Sequence, residues 1–198
     1  MINYTNIQRH DNIPFEDYLK LGGYSHSFLK REHNGIVEPL TITENIRIGK
    51  LVDAILTDPA SADMTDSLYQ YAKNIAFEIK KTFGELIKSF ESQISFTADI
   101  EYKGFKMATT GRLDWGLPKH AVVDLKVTKS KISALNTLVE FMGYKNQLWH
   151  YCKMYGVTKA YLIFYSIPDK KSHIMFVDCS EPVNEFWADK TIKFGTVA

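Results

Sequence analysis

The run AVVDLKV (121–127) has the texture of a strand buried on both faces, yet an aspartate and a lysine stand at its centre. Side chains alternate along a strand, so Asp124 and Lys126 share one face while Val123, Leu125 and Val127 share the other. The Cα atoms of the two charged residues are then roughly 6.6 Å apart. A charge in such a place is costly unless it is paired or coordinates a metal. Two readings are open: a salt bridge at a strand end, or two groups kept there for chemistry.

The flanking sequence sets this run in a sheet. ISFTADIEY (94–102), FKMATTGRLDWGL (105–117) and HAVVDLKVT (120–128) are rich in β-branched and aromatic residues, and KG and PK turn signals divide them. They read as a three-stranded antiparallel meander. Upstream, SHSFLKREH (25–33) reads as a short helix with Ser25 or Ser27 as N-cap, followed by a helix over 41–59 with a threonine start and a proline stop. A longer helical pattern covers 61–91, with an interruption near Gly84. Downstream, 133–156 returns to a helical period and closes at a glycine. AYLIFYSI (160–167) and SHIMFVD (172–178) read as strands joined by PDKK, and a last helix covers 181–194. The order predicts one α/β domain over 1–198 with a central mixed sheet flanked by helices. Within it, 1–91 is mainly helical, 92–180 is the sheet-and-helix core, and 181–198 carries the C-terminal helix.

Composition narrows the partners. A net charge of +1 offers no global attraction to nucleic acid, so a polyanion site must be a local patch. Cys152 and Cys179 are too few for a disulfide scaffold or a cysteine-only four-ligand cluster; they read as buried free thiols, with a single disulfide the open alternative. The six histidines are scattered without zinc-like spacing. The first twenty residues lack the apolar run of a signal peptide, and no segment approaches the ~18 apolar residues of a membrane span. A cytoplasmic protein with no membrane partner is expected.

A third charge belongs with the first two. In GRLDW (111–115), alternation puts Arg112 and Asp114 on one face, and Leu113 and Trp115 on the other. If the turn at 116–120 pairs the strands, Asp114 and Asp124 come close together. Adjacent carboxylates repel unless a cation or proton lies between them, which suits a divalent metal. Mg²⁺ needs only one or two carboxylates, with water and phosphate oxygens completing its shell.

The pair of motifs G-R-L-D (111–114) and V-D-L-K-V-T (123–128) resembles the PD-(D/E)XK nuclease superfamily, whose first acid and acid-x-lysine straddle a β-hairpin. Asp114 matches the first acid, Asp124 the second and Lys126 the lysine; Leu113 stands where the pattern has proline. IGKLVDAIL (48–56) resembles the upstream helical motif of the RecB- and RecE-like branch, with Asp53 in the usual place of histidine. The spacing of 46, 49, 53 and 56 puts Asp53 on an apolar stripe beside Gly49. Gln147 and Tyr151, four apart in MGYKNQLWHYCKMYG (142–156), resemble the downstream helix, and YSHSFLK (24–30) resembles the N-terminal serine motif of RecE-like nucleases.

This resemblance, to the branch of RecE and lambda exonuclease, implies a Mg²⁺-dependent exonuclease digesting one strand of linear duplex DNA, 5′ to 3′, in phage-type recombination. Asp53, Asp114, Asp124 and the backbone carbonyl of Leu125 would hold Mg²⁺ or Mn²⁺; Lys126 would position the attacking water or stabilise the transition state. Gln147 and Tyr151 would support the site, and Ser25, Ser27, Lys30, Arg31, Arg112, Lys129 and Lys131 would contact DNA phosphate. Serine N-capping, simply solvated lysines and a structural pair of Arg112 with a carboxylate stay open beside these roles. A single-strand annealing partner and a homo-oligomeric ring are also implied, as is a bacterial host cytoplasm for a phage-encoded protein; no iron–sulfur cluster is expected. The alternatives are an endonuclease or junction-cleaving nuclease with the same site, or an inactive DNA-binding recombination accessory.

Overall fold

Strand pairing organises the chain. The structure, a computed structural model, describes residues 2–27, 42–102 and 104–181. Its strands are β1 (Asn3–His10), β2 (Tyr24–Ser25), β3 (Glu91–Tyr102), β4 (Phe105–Leu117), β5 (Ala121–Thr128), β6 (Lys159–Ser166) and β7 (Lys171–Asp178). They form one sheet in the order β1-β3-β4-β5-β6-β7, with β2 joined to β4. The helices are α1 (Phe15–Tyr18), α2 (Glu44–Thr57), α3 (Tyr69–Ile87), α4 (Leu135–Met142) and α5 (Tyr144–Tyr155). β3, β4 and β5 make the expected antiparallel meander. β5 and β6 are parallel, and β6–β7 is antiparallel again, so the sheet is mixed. Parallel neighbours need a crossover, which α4 and α5 supply.

Two apolar layers cover the sheet. Ile48, Leu51, Val52 and Leu56 of α2 and Ala72, Ile75, Ala76 and Ile79 of α3 bury Trp115, Val123, Leu125 and Ile163. On the other face, Leu135 and Val139 of α4 and Leu148, Tyr151, Cys152 and Met154 of α5 pack on Ile94, Phe96, Leu113, Val122 and Leu162. Both cysteines are buried and free, as expected. Among the described residues no helix is long and apolar enough to cross a membrane.

The departures from the sequence reading have local causes. β1 was not expected in a mainly helical N-terminal part. NYTNIQRH is polar and its single aliphatic residue, Ile7, is exposed, so alternation gives no signal; pairing along β3 and the Tyr4 hydroxyl, 2.6 Å from His150 Nδ1, hold it. The helix expected from 61 starts only at Tyr69. Asp63 and Asp66 instead accept the backbone N–H groups of Thr65 and Leu68, which fixes turns in place of helix. Gly84 lies within α3 without interrupting it. The helix over 133–156 is divided at Gly143, whose φ of 65° ends α4 in a left-handed cap. The helix expected over 25–33, with Lys30 and Arg31, lies mostly outside the described residues, and so does nearly all of the segment where a helix is expected over 181–194.

Candidate active site

Pairing between β4 and β5 stops early. Trp115, Gly116 and Leu117 pair with Val123, Val122 and Ala121, and beyond Trp115–Val123 the two strands part. The Leu125 N–H, which has no β4 carbonyl opposite it, donates to Asp114 Oδ2 at 2.8 Å. Further along β4, the parallel pairing of Tyr24 and Ser25 with Thr109 and Thr110 takes up its edge. The fork therefore opens in the middle of the sheet. Groups carried by both helical layers meet in it.

β4 changes face at this point. Alternation had put Leu113 and Trp115 on one side, but Leu113 packs in the layer of α5 and Trp115 in the layer of α2 and α3. The β3–β4 ladder skips one pair at the same point. Ser92–Trp115 and Ile94–Leu113 pair, whereas Gln93, opposite Asp114, has left-handed backbone with φ 54°. β5 alternates as expected, with Val123 and Leu125 toward α2 and α3.

α2 brings Asp53 to the fork. Its N-terminus is capped by Thr43, whose side chain accepts the Ile46 N–H at 3.4 Å. The buried stripe of α2 is 48, 51, 52 and 56, one residue round from the stripe expected, so Asp53 flanks the buried face and Gly49 opens onto empty space. Asp53 Oδ2 accepts from Gln93 Nε2 at 3.1 Å, while its Oδ1 is buried without a hydrogen-bond partner. Asp124 is buried and pairs through Oδ2 with Lys126 Nζ at 2.5 Å.

Three acids lie near enough to act on one another's charge, Asp53 on Asp114 and Asp124 on both. Burial, and then Asp124, push the Asp53 carboxyl up to about 6. Burial, then Asp53 and Asp124, hold Asp114 well above the carboxylate range. Burial alone would lower the Lys126 ammonium, but Asp124 and Asp114 outweigh it and raise its pKa. The Lys126 Nζ also lies 5.1 Å from the centre of the Tyr144 ring. Tyr144 was not singled out from sequence, although it lies three and seven residues before Gln147 and Tyr151, a spacing that shares one helical face.

Gln147 Nε2 donates to the Tyr151 hydroxyl at 3.0 Å. Tyr151 is buried, and burial followed by the charge of Asp124 raises its pKa, so it faces this site as a neutral phenol. Arg112 is spent internally: Nε donates to Gln93 Oε1 at 2.6 Å and Nη1 to the Ile13 carbonyl at 2.9 Å. Lys129, Lys131 and Ser27 are exposed, and Ser25 is half-buried in β2.

Among the described residues no three His, Cys, Asp or Glu side chains are gathered tightly enough to hold a metal. The acids are drawn to separate partners: Gln93, the Leu125 N–H and Lys126. The donor set nevertheless fits a hard divalent cation. It is all oxygen, Asp53 and Asp124 together raise the Asp114 pKa while Asp124 raises that of Asp53, and one buried carboxylate oxygen of Asp53 lacks a partner.

No protein-family model matches the chain, and no curated protein does. Solved structures do. The "Putative exonuclease" from Eubacterium rectale aligns over 93% of this chain and 83% of its own, at 17% identity and a TM-score of 0.58. An alkaline exonuclease from Laribacter hongkongensis aligns over 90% of each chain at 10% identity and a TM-score of 0.46. A phage related exonuclease from Haemophilus somnus covers 82% of this chain and 86% of its own, at 14% identity and a TM-score of 0.41. Mixed sheet, crossover and flanking helices together give this chain the fold of the Eubacterium rectale protein.

Proposed function

We propose that the chain is a metal-dependent deoxyribonuclease of the PD-(D/E)XK superfamily, acting as an exonuclease on one strand of linear duplex DNA. What supports this reading is the fork between β4 and β5, with Asp114, Asp124 and Lys126 on its two strands and Asp53 of α2 within range of their charges. The fold shared with the Eubacterium rectale protein supports the same reading. Asp53, Asp114 and Asp124, with the Leu125 carbonyl, would hold Mg²⁺, with Mn²⁺ as a substitute. When bound, the cation would lower the pKa of a coordinated water and offset charge on the phosphate.

The chain's own residues do the rest. Lys126, kept protonated by Asp124 and Asp114, orients the attacking water or stabilises negative charge developing on the phosphate. Tyr151 and Gln147 form a neutral hydrogen-bonded pair that supports the Asp124 side of the site. Lys129 and Lys131, exposed just past β5, and Ser25 and Ser27 beside β4 contact backbone phosphate, as do Lys30 and Arg31. Arg112 acts from within, through Gln93, rather than on phosphate. Phosphate contacts carry no base information, so cleavage without sequence preference is expected. A cytoplasmic setting, a single-strand annealing partner and a ring of copies around the duplex complete the proposal.

End-labelled linear duplex and covalently closed circular DNA, each with Mg²⁺ or with excess chelator, test it. Metal-dependent release of label from linear DNA alone supports the exonuclease. Cutting of the circle points to the endonuclease reading. Digestion in excess chelator overturns the metal chemistry, and no digestion of either substrate, with DNA still bound, leaves the non-catalytic accessory.

A further inference from the structure

We infer that Gln93 is a positioning residue for Asp53, and that Arg112 sets which way its amide faces. The inference rests on the nuclease reading above, in which Asp53 is a metal ligand. Gln93 lies near the start of β3 with φ 54°, where the β3–β4 ladder skips it. A non-glycine residue in left-handed backbone is strained, and such strain persists only where the surroundings hold it.

The side chain makes three hydrogen bonds. Oε1 accepts from Arg112 Nε at 2.6 Å; Nε2 donates to Asp53 Oδ2 at 3.1 Å and to Thr57 Oγ1 at 2.8 Å. The Thr57 hydroxyl donates its own proton to the Asp53 carbonyl at 2.8 Å, so its oxygen is free to accept. A guanidinium can only donate, so the amide oxygen must face Arg112 and the NH₂ must face Asp53. Arg112 is in turn fixed by the Ile13 carbonyl at 2.9 Å and lies 5.9 and 5.8 Å from the ring centres of Phe15 and Tyr18. The chain of contacts runs from the segment after β1, through β4 and β3, to α2. Its effect on Asp53 is asymmetric: Oδ2 is anchored, and the buried Oδ1 is left without a partner. One oxygen holds the carboxylate still while the other is kept for a cation.

Two variants test this. Gln93→Gly removes the side chain and suits the left-handed backbone. Gln93→Glu keeps an acceptor for Arg112 but turns an oxygen toward Asp53. Both should fold, as read by circular dichroism, and bind Mn²⁺ about 10–100-fold more weakly by calorimetry, the range usual for loss of a residue that orients a ligand. The DNA-cleavage kcat should fall with KM unchanged. A purely structural role would lower the melting temperature and leave Mn²⁺ affinity alone. Affinity within about twofold of the parent in both folded variants overturns the inference by itself. An unmodified chain that neither binds Mn²⁺ nor cleaves DNA overturns the nuclease reading, and this inference with it.

Discussion

Replacing Asp53 by asparagine should make the cation-free protein more stable at alkaline pH. Burial and the neighbouring Asp124 move its carboxyl from 3.8 to about 6. The fold therefore prefers Asp53 protonated. This contribution is fully present below pH 3.8 and is lost as pH rises through about 6. At about 1.4 kcal/mol per pH unit, ionised Asp53 costs the fold about 3 kcal/mol at pH 8. Asparagine keeps an oxygen for Gln93 but carries no charge. For a chain of this length, 3 kcal/mol is on the order of 6–12 °C in melting temperature. The assay is thermal unfolding in chelator at pH 4 and pH 8, followed at pH 8 by titration with Mn²⁺. The variant should gain at pH 8 and far less at pH 4, and Mn²⁺ should stabilise the parent but not the variant. Mn²⁺ at 100 times its dissociation constant would restore about 2.7 kcal/mol to the parent. Equal stability of parent and variant at pH 8, or the same gain at both pH values, refutes the reasoning.

Other outcomes follow from neighbouring groups. His150 is fully buried and held neutral, with burial pushing it down to about 4. Its contribution is present above pH 6.5 and lost as pH falls toward 4, about 3 kcal/mol in all, so urea unfolding of His150→Gln should flatten that part of the profile. Asp53 shifts stability the opposite way in this window, so the comparison belongs in the Asp53→Asn background, and an unchanged slope there would count against it. Lys126→Ala should keep Mn²⁺ binding by calorimetry while slowing cleavage of linear duplex by about 100-fold or more; loss of binding would contradict the assigned role. Gly23→Ala puts a Cβ 3.0 Å from the Thr109 backbone at φ +88°, so it should destabilise the fold by at least about 1 kcal/mol and expose the β2–β4 amides to hydrogen exchange.

Local pattern was enough for the meander, the α5 stripe with Gln147 and Tyr151, and the charged centre of β5, because strand and helix periods act over a few neighbouring residues. Asp114, Asp124 and Lys126 could be named from it for that reason. Only the tertiary structure decided how Asp53 reaches them. That depends on β4 and β5 parting after Trp115 and Val123, which lets a helix of one layer meet groups facing the other. The left-handed backbone of Gln93 and the change of face between Leu113 and Trp115 were equally hidden. A glutamine near a strand end reads as solvated until Arg112, Thr57 and Asp53 surround it. β1 was illegible because a polar edge strand is held by its neighbour's backbone and by a single distant contact, Tyr4 with His150, neither of which shows as alternation in its own sequence.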